Sequence, residues 1–133
     1  MLLKIQVLHS RIRPIEVREP GTYFIGRSFS SPQKVELRRK GSGKTYVEPA
    51  GALTKPESGS REANCRAVSR SHLLIKLQQD PPRVVIRDLD SANGTYVQGE
   101  RISFPYELPE GANHLEIGKE GRIKILFEWY PSN

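Results

Sequence analysis

The sequence predicts an all-β sandwich or barrel, and three observations carry that prediction. Apolar and polar residues alternate with period two in run after run. Turn-forming pairs such as Pro20-Gly21, Asn93-Gly94, Gln98-Gly99 and Glu120-Gly121 fall between the runs. No helix-length window repeats apolar residues at helical spacing. Short strands separated by turns every 8–12 residues or so are the pattern of a sandwich or barrel.

The elements follow in chain order. Leu3, Ile5 and Val7 share a face against Lys4 and Gln6, which predicts a strand over 2–8. Shorter runs predict strands at 15–18, 22–26 and 34–37. Leu73, Ile75 and Leu77 alternate with Lys76 and Gln78, and Val84 and Ile86 precede Asp88, so 72–78 and 83–89 are read as strands. Further strands are expected at 95–98, 100–102 and 114–117. The chain closes with Ile123, Ile125, Phe127 and Trp129 on one face of a strand over 122–130.

Residues 39–66 break the rhythm. They are rich in Gly, Ser, Pro, Lys and Glu and lack a sustained apolar face, so a long basic loop is expected there, with Thr45-Tyr46-Val47 as its one candidate strand. At 133 residues the chain is read as one domain with this flexible insertion inside it.

Composition narrows the function classes. No run of apolar residues is long enough for a membrane span, and the N-terminal MLLKIQVLHS has strand spacing rather than the pattern of a secretory signal. Cys65 is the only cysteine, so no intrachain disulfide forms and a reducing intracellular compartment is expected. His9, His72 and His114 are scattered without ligand spacing, so no metal and no cofactor are expected. The net charge is +6, and the segment Arg27–Arg70 alone carries ten Lys/Arg against four Asp/Glu. Elsewhere the signs balance. A field concentrated in that way favours an anionic partner.

Three short motifs lie at or beside this segment. VSRSH (68–72) contains Ser69 and His72, which as a catalytic pair would need a base in reach and a third group to orient it. No nucleophile elbow surrounds either serine, and nothing local brings Asp88 or Asp90 to the histidine. Read as an anion site, Ser69 offers a hydroxyl donor and Arg70 a planar fork of N–H donors suited to phosphate oxygens. In GTYFIGRSFS (21–30), Gly26 marks a bend or a close backbone approach, and Arg27 follows at the strand end. In DLDSANGTYVQGERI (88–102), Asn93-Gly94 signals a turn. There Asn93 either supplies a positive φ or grips a peptide main chain with its amide.

Taken in order, GRS (26–28), VSRSH (68–72) and DLDSANGTYVQGERI (88–102) resemble the motif set of the forkhead-associated (FHA) domain. The resemblance implies a sandwich of two twisted, mostly antiparallel sheets with about eleven strands, against ten read from the periodicity. It implies no enzyme but a phosphothreonine-peptide-binding module for phosphorylation-dependent interaction with a threonine-phosphorylated protein, in signalling, DNA damage response or the cell cycle, in the nucleus first and the cytoplasm second.

Carried over by position, Arg27, Ser69 and Arg70 would hold the phosphate, and Asn93 would bond the ligand's main chain. Ser28 and Ser91 would be accessory contacts, and Gly26, His72, Gly94 and Thr95 structural. Two departures stand out. Ala92 occupies a position where many relatives carry Ser or Thr, with Ser91 the candidate to compensate. The insertion brings Arg38, Arg39, Lys40, Lys44 and Lys55, which would meet acidic flanks of a peptide. The alternatives are a nucleic-acid-binding β domain using residues 34–66, and a scaffold or dimerisation module with a vestigial phosphate site. Tyr46 is the only aromatic among the basic residues, which disfavours a stacking platform for nucleic acid.

Overall fold

The computed structural model describes residues 1–8, 10, 12–29, 34–41, 47–54, 65, 68–118 and 123–131. Among these, twelve strands form two six-stranded sheets: β1 (Leu2–Val7), β2 (Ile15–Val17), β3 (Gly21–Arg27), β4 (Val35–Lys40), β5 (Val47–Ala52), β6 (Leu73–Gln79), β7 (Pro82–Asp88), β8 (Thr95–Val97), β9 (Glu100–Arg101), β10 (Tyr106–Glu107), β11 (Gly111–Ile117) and β12 (Ile123–Tyr130). One sheet has the order β2-β1-β12-β11-β8-β9 and the other β10-β7-β6-β3-β4-β5. Every pairing is antiparallel.

The period-two pattern explains the layering. Leu3, Ile5, Val7, Leu115, Ile117, Ile125, Phe127 and Trp129 turn inward from the first sheet. Tyr23, Ile25, Leu37, Leu73, Ile75, Leu77, Val84 and Ile86 meet them from the second. Each fully buried aliphatic or Phe side chain contributes roughly 1.5–3 kcal/mol relative to leaving it in water. The indole N–H of Trp129 donates to the Leu108 carbonyl at 2.9 Å, so its polar atom is satisfied inside the core. The β8–β9 hairpin turns on Gln98 and Gly99 at φ +49° and +84°. Two consecutive left-handed residues match the twist of the strands they join.

The segment expected to be a loop from residue 39 departs from that expectation. β4 continues through Arg38–Lys40, paired with β3 on one side and β5 on the other. β5 itself lies inside the segment, with a register shift between Leu37 and Arg38. Pairing on both flanks satisfies the backbone of β4 whatever its side chains, so a charged run becomes a strand. Val47 from the candidate Thr45-Tyr46-Val47 opens β5. Residues 42–46, 55–64 and 66–67, with Lys44 and Lys55 among them, lie outside the described residues.

Two of the cations assigned to that loop are structural. Arg38 is 2% exposed, with its Nε 3.7 Å from a carboxylate oxygen of Glu36, itself 6% exposed. Arg39 pairs with Glu19 at 2.5 Å and stands over the Tyr23 ring. Neither is presented to a ligand as an open charge.

Candidate functional site

The site lies where β3 ends, β6 begins and β7 ends. The ladder between β3 and β6 stops at the pair Ile25–Leu73, yet backbone bonding runs on into the loop before β6. The His72 N–H donates to the Ile25 carbonyl at 3.1 Å, and the Arg27 N–H donates to the Ser69 carbonyl at 3.0 Å. On the other side, the Leu89 N–H donates to the His72 carbonyl at 2.9 Å. Residues 69–72 are therefore stitched between the ends of β3 and β7.

Gly26 makes this approach possible. A Cβ placed there would stand 2.0 Å from the Arg70 carbonyl oxygen and 2.7 Å from a terminal guanidinium nitrogen of Arg38. The close backbone approach expected at Gly26 is thus to Arg70 itself. Arg38 donates to that same Arg70 carbonyl, and its guanidinium stacks 4.2 Å from the centroid of Phe29. The periodicity of VELRRK puts Arg38 on the face opposite Val35 and Leu37, so no local signal announced its burial.

His72 joins the loop to the turn after β7. It is fully buried, and its Nδ1 accepts from the Ser69 N–H at 3.0 Å. That acceptor role places the ring proton on Nε2, which donates to the Gly94 carbonyl at 2.7 Å. Both ring nitrogens are committed to backbone groups. Neither is available to take a proton from a serine, although Asp88 stands 3.8 Å from Nε2. The catalytic reading of Ser69 and His72 fails on this geometry.

Burial pushes the His72 pKa below its ordinary 6.5, against the smaller raising effects of the Gly94 carbonyl and the Asp88 charge. The folded state therefore holds the ring neutral where the unfolded chain would protonate it. This contribution to stability is fully present above the unfolded value near 6.5, and it is lost as the pH falls through the lower folded value. Denaturant titrations of the ligand-free domain should show stability declining below pH 6.5, with a shallower decline in His72→Gln.

Asp88 organises the turn instead. One carboxylate oxygen accepts from the Ser91 hydroxyl at 2.6 Å and the Thr95 hydroxyl at 2.7 Å, and the other accepts from the Ser91 N–H. The Ser91 hydroxyl in turn accepts from the Gly94 N–H at 2.9 Å. Gly94 is the left-handed residue, at φ +85°, whereas Asn93 has no positive φ. This removes the conformational explanation for Asn93.

The two accessory candidates need correction. Ser28 is 3% exposed and Ser91 6%, and the Ser91 hydroxyl is consumed by the turn. Ser91 therefore braces the turn and does not replace a hydroxyl missing at Ala92. What position 92 does supply is a backbone N–H, which donates to the Ser69 hydroxyl oxygen at 3.2 Å. That bond leaves the Ser69 hydroxyl proton to be donated elsewhere.

The structure thus gathers the 26–28, 69–72 and 91–95 segments at one end of the sandwich. Arg70 is exposed there, and Arg27, Ser69 and Asn93 are half-buried.

Comparison with known proteins agrees with this description. Residues 61–118 match the family model for the FHA domain. No curated protein sequence matches the chain. Among solved structures, the chain is similar to the FHA domain of the CT664 protein from Chlamydia trachomatis, with 19% identity, a TM-score of 0.61, and coverage of 98% of this chain and 99% of that one. It is equally similar to a structure from work on phosphothreonine-dependent FHA domain interactions, with 21% identity, a TM-score of 0.61, and 99% and 100% covered. The FhaA FHA domain, solved in complex with the intracellular domain of Rv3910, aligns with 21% identity and a TM-score of 0.59 over 95% and 99% of the two chains. Residues 61–118 thus match the FHA family model, and the fold of solved FHA domains extends over nearly the whole chain.

Proposed function

We propose that this domain is a non-enzymatic module that binds threonine-phosphorylated segments of partner proteins through Arg27, Ser69, Arg70 and Asn93. The observation that supports it most is the stitching of residues 69–72 between Arg27 and the 91–94 turn, which gives donors from three segments a common, rigid base. A phosphothreonine carries about −1.5 to −2 charge near neutral pH and presents three acceptor oxygens. Hydrogen bonds from ionised donors are roughly twice as strong as neutral ones, so two guanidinium groups and a hydroxyl on one phosphate discriminate strongly against unmodified threonine. Preorganisation adds to this, because the loop's backbone bonds are made before the ligand arrives. A similar FHA structure comes from work on phosphothreonine-dependent FHA domain interactions, which supports the reading.

The test is a matched pair of peptides drawn from an oriented phosphothreonine library. The phosphorylated member should bind with a measurable Kd in isothermal titration, and its unphosphorylated twin should show no heat at the same concentrations. A folded domain with no affinity for any library member would instead support a scaffold role with a vestigial site.

A further inference from the structure

We propose that the outward face of the β10-β7-β6-β3-β4-β5 sheet is a second docking surface, which takes an acidic peptide segment of a partner protein through an apolar anchor. The proposal stands independently of the phosphate loops.

A solvated sheet face is normally polar, with its apolar row turned to the core. This face breaks that rule. Phe24 on β3 and Leu74 on β6 are direct cross-strand partners, and Val85 on β7 faces Lys76 across the next ladder. All three are half-buried on the outward side. They form the floor of a depression of about 370 Å³, rimmed by the exposed cations Lys40, Lys76 and Arg87. Pro105 lines one side of it, next to Phe104, which is 80% exposed.

Among the described residues, the charge on the rim is uncompensated, and no carboxylate lines the depression. The acidic groups that share the face are already engaged: Glu36 lies beside the buried Arg38, and Glu107 is paired with Arg83 at 2.5 Å. None of Lys40, Lys76 and Arg87 forms an ion pair with a described carboxylate.

An apolar floor with a cationic rim complements one apolar side chain flanked by Asp or Glu in an extended peptide. The apolar contact anchors, and the flanking charges fix register and speed the encounter. A lipid surface fits less well, because Phe24, Leu74 and Val85 are half-buried among exposed cations, whereas membrane insertion buries an apolar face in the acyl region.

The experiment titrates the isotopically labelled domain with an unphosphorylated peptide alternating glutamate and leucine. A lysine–leucine peptide of equal length serves as the control. Amide shifts should concentrate at Thr22, Phe24, Leu74 and Lys76 with the glutamate peptide and be absent with the control. Charge reversal by Lys76→Glu with Arg87→Glu should weaken the interaction about tenfold or more, while Arg27→Ala leaves it unchanged. Lys76→Ala serves as a milder variant, whose dispersed amide spectrum verifies folding and which should still bind measurably weaker. Three results would overturn the proposal. One is an absence of shifts on this face. Another is shifts confined to residues 69–72 and 91–94 and lost in Arg27→Ala. The third is binding to phosphatidylserine vesicles without binding to the peptide.

Discussion

Arg27→Ala should abolish measurable binding of a cognate phosphothreonine peptide. Arg27 closes β3, and its backbone N–H is fixed on the Ser69 carbonyl. The side chain therefore starts from a rigid point beside the loop that carries Ser69 and Arg70. Each hydrogen bond to a charged group contributes about 1.5–3 kcal/mol, so losing a two-pronged contact weakens the complex by roughly 100-fold or more. Arg27 is half-buried at the surface end of its strand, and the core of the sandwich does not include it. The thermal midpoint should therefore stay within a few degrees of wild type. Isothermal titration alongside a melting curve separates the two effects. Wild-type affinity in this variant would remove Arg27 from the pocket and with it the proposed mode of phosphate capture.

Gly26→Ala should be the most damaging single-methyl change near the site, and it should act on stability and binding together. The new Cβ would stand 2.0 Å from the Arg70 carbonyl oxygen and 2.6 Å from its carbon, both backbone atoms. A flexible side chain could swing away, but a stitched backbone cannot. The loop must retreat from β3, which strains the bonds from Arg27 to Ser69 and from His72 to Ile25. Overpacking of this kind typically costs 1–3 kcal/mol, which corresponds to a fall of roughly 5–10 °C in Tm for a domain of this size. Because Ser69 and Arg70 ride on the displaced loop, phosphopeptide affinity should fall even at temperatures where the variant is fully folded. An unchanged Tm would show that the loop yields freely, and the rigid-base argument would fail with it.

The parts of the fold legible in the sequence share one property, which is that local chemistry sets them. β1, β6, β7 and β12 follow the alternation of apolar residues, because a strand half-buried against a core must place its side chains with period two. The Gln98-Gly99 hairpin follows from the residues that tolerate positive φ. β5 was hidden because VEPAGA contains a proline and a glycine, both poor strand residues, and the segment forms a strand only at a sheet edge alongside β4. β11 starts at Gly111, ahead of the expected 114. Its opening Gly-Ala-Asn pairs with Phe127–Trp129, and the buried Asn113 amide donates to the Pro109 and Gly111 carbonyls. These supports come from across the sheet and from a turn, so no local pattern announces them.

The sequence by itself determined the all-β class, the order of the three loop motifs and the residue types able to meet a phosphate, because composition, periodicity and turn chemistry act over a few neighbouring positions. Only the tertiary structure decided which of those residues face outward. Arg38, one of a run of apparent loop cations, is buried beneath Phe29 and bonded to the Arg70 carbonyl, and Ser91 turns inward to Asp88. The positions that meet at the site come from distant parts of the chain. Backbone hydrogen bonds and a buried histidine, which one-dimensional patterning does not encode, hold them together.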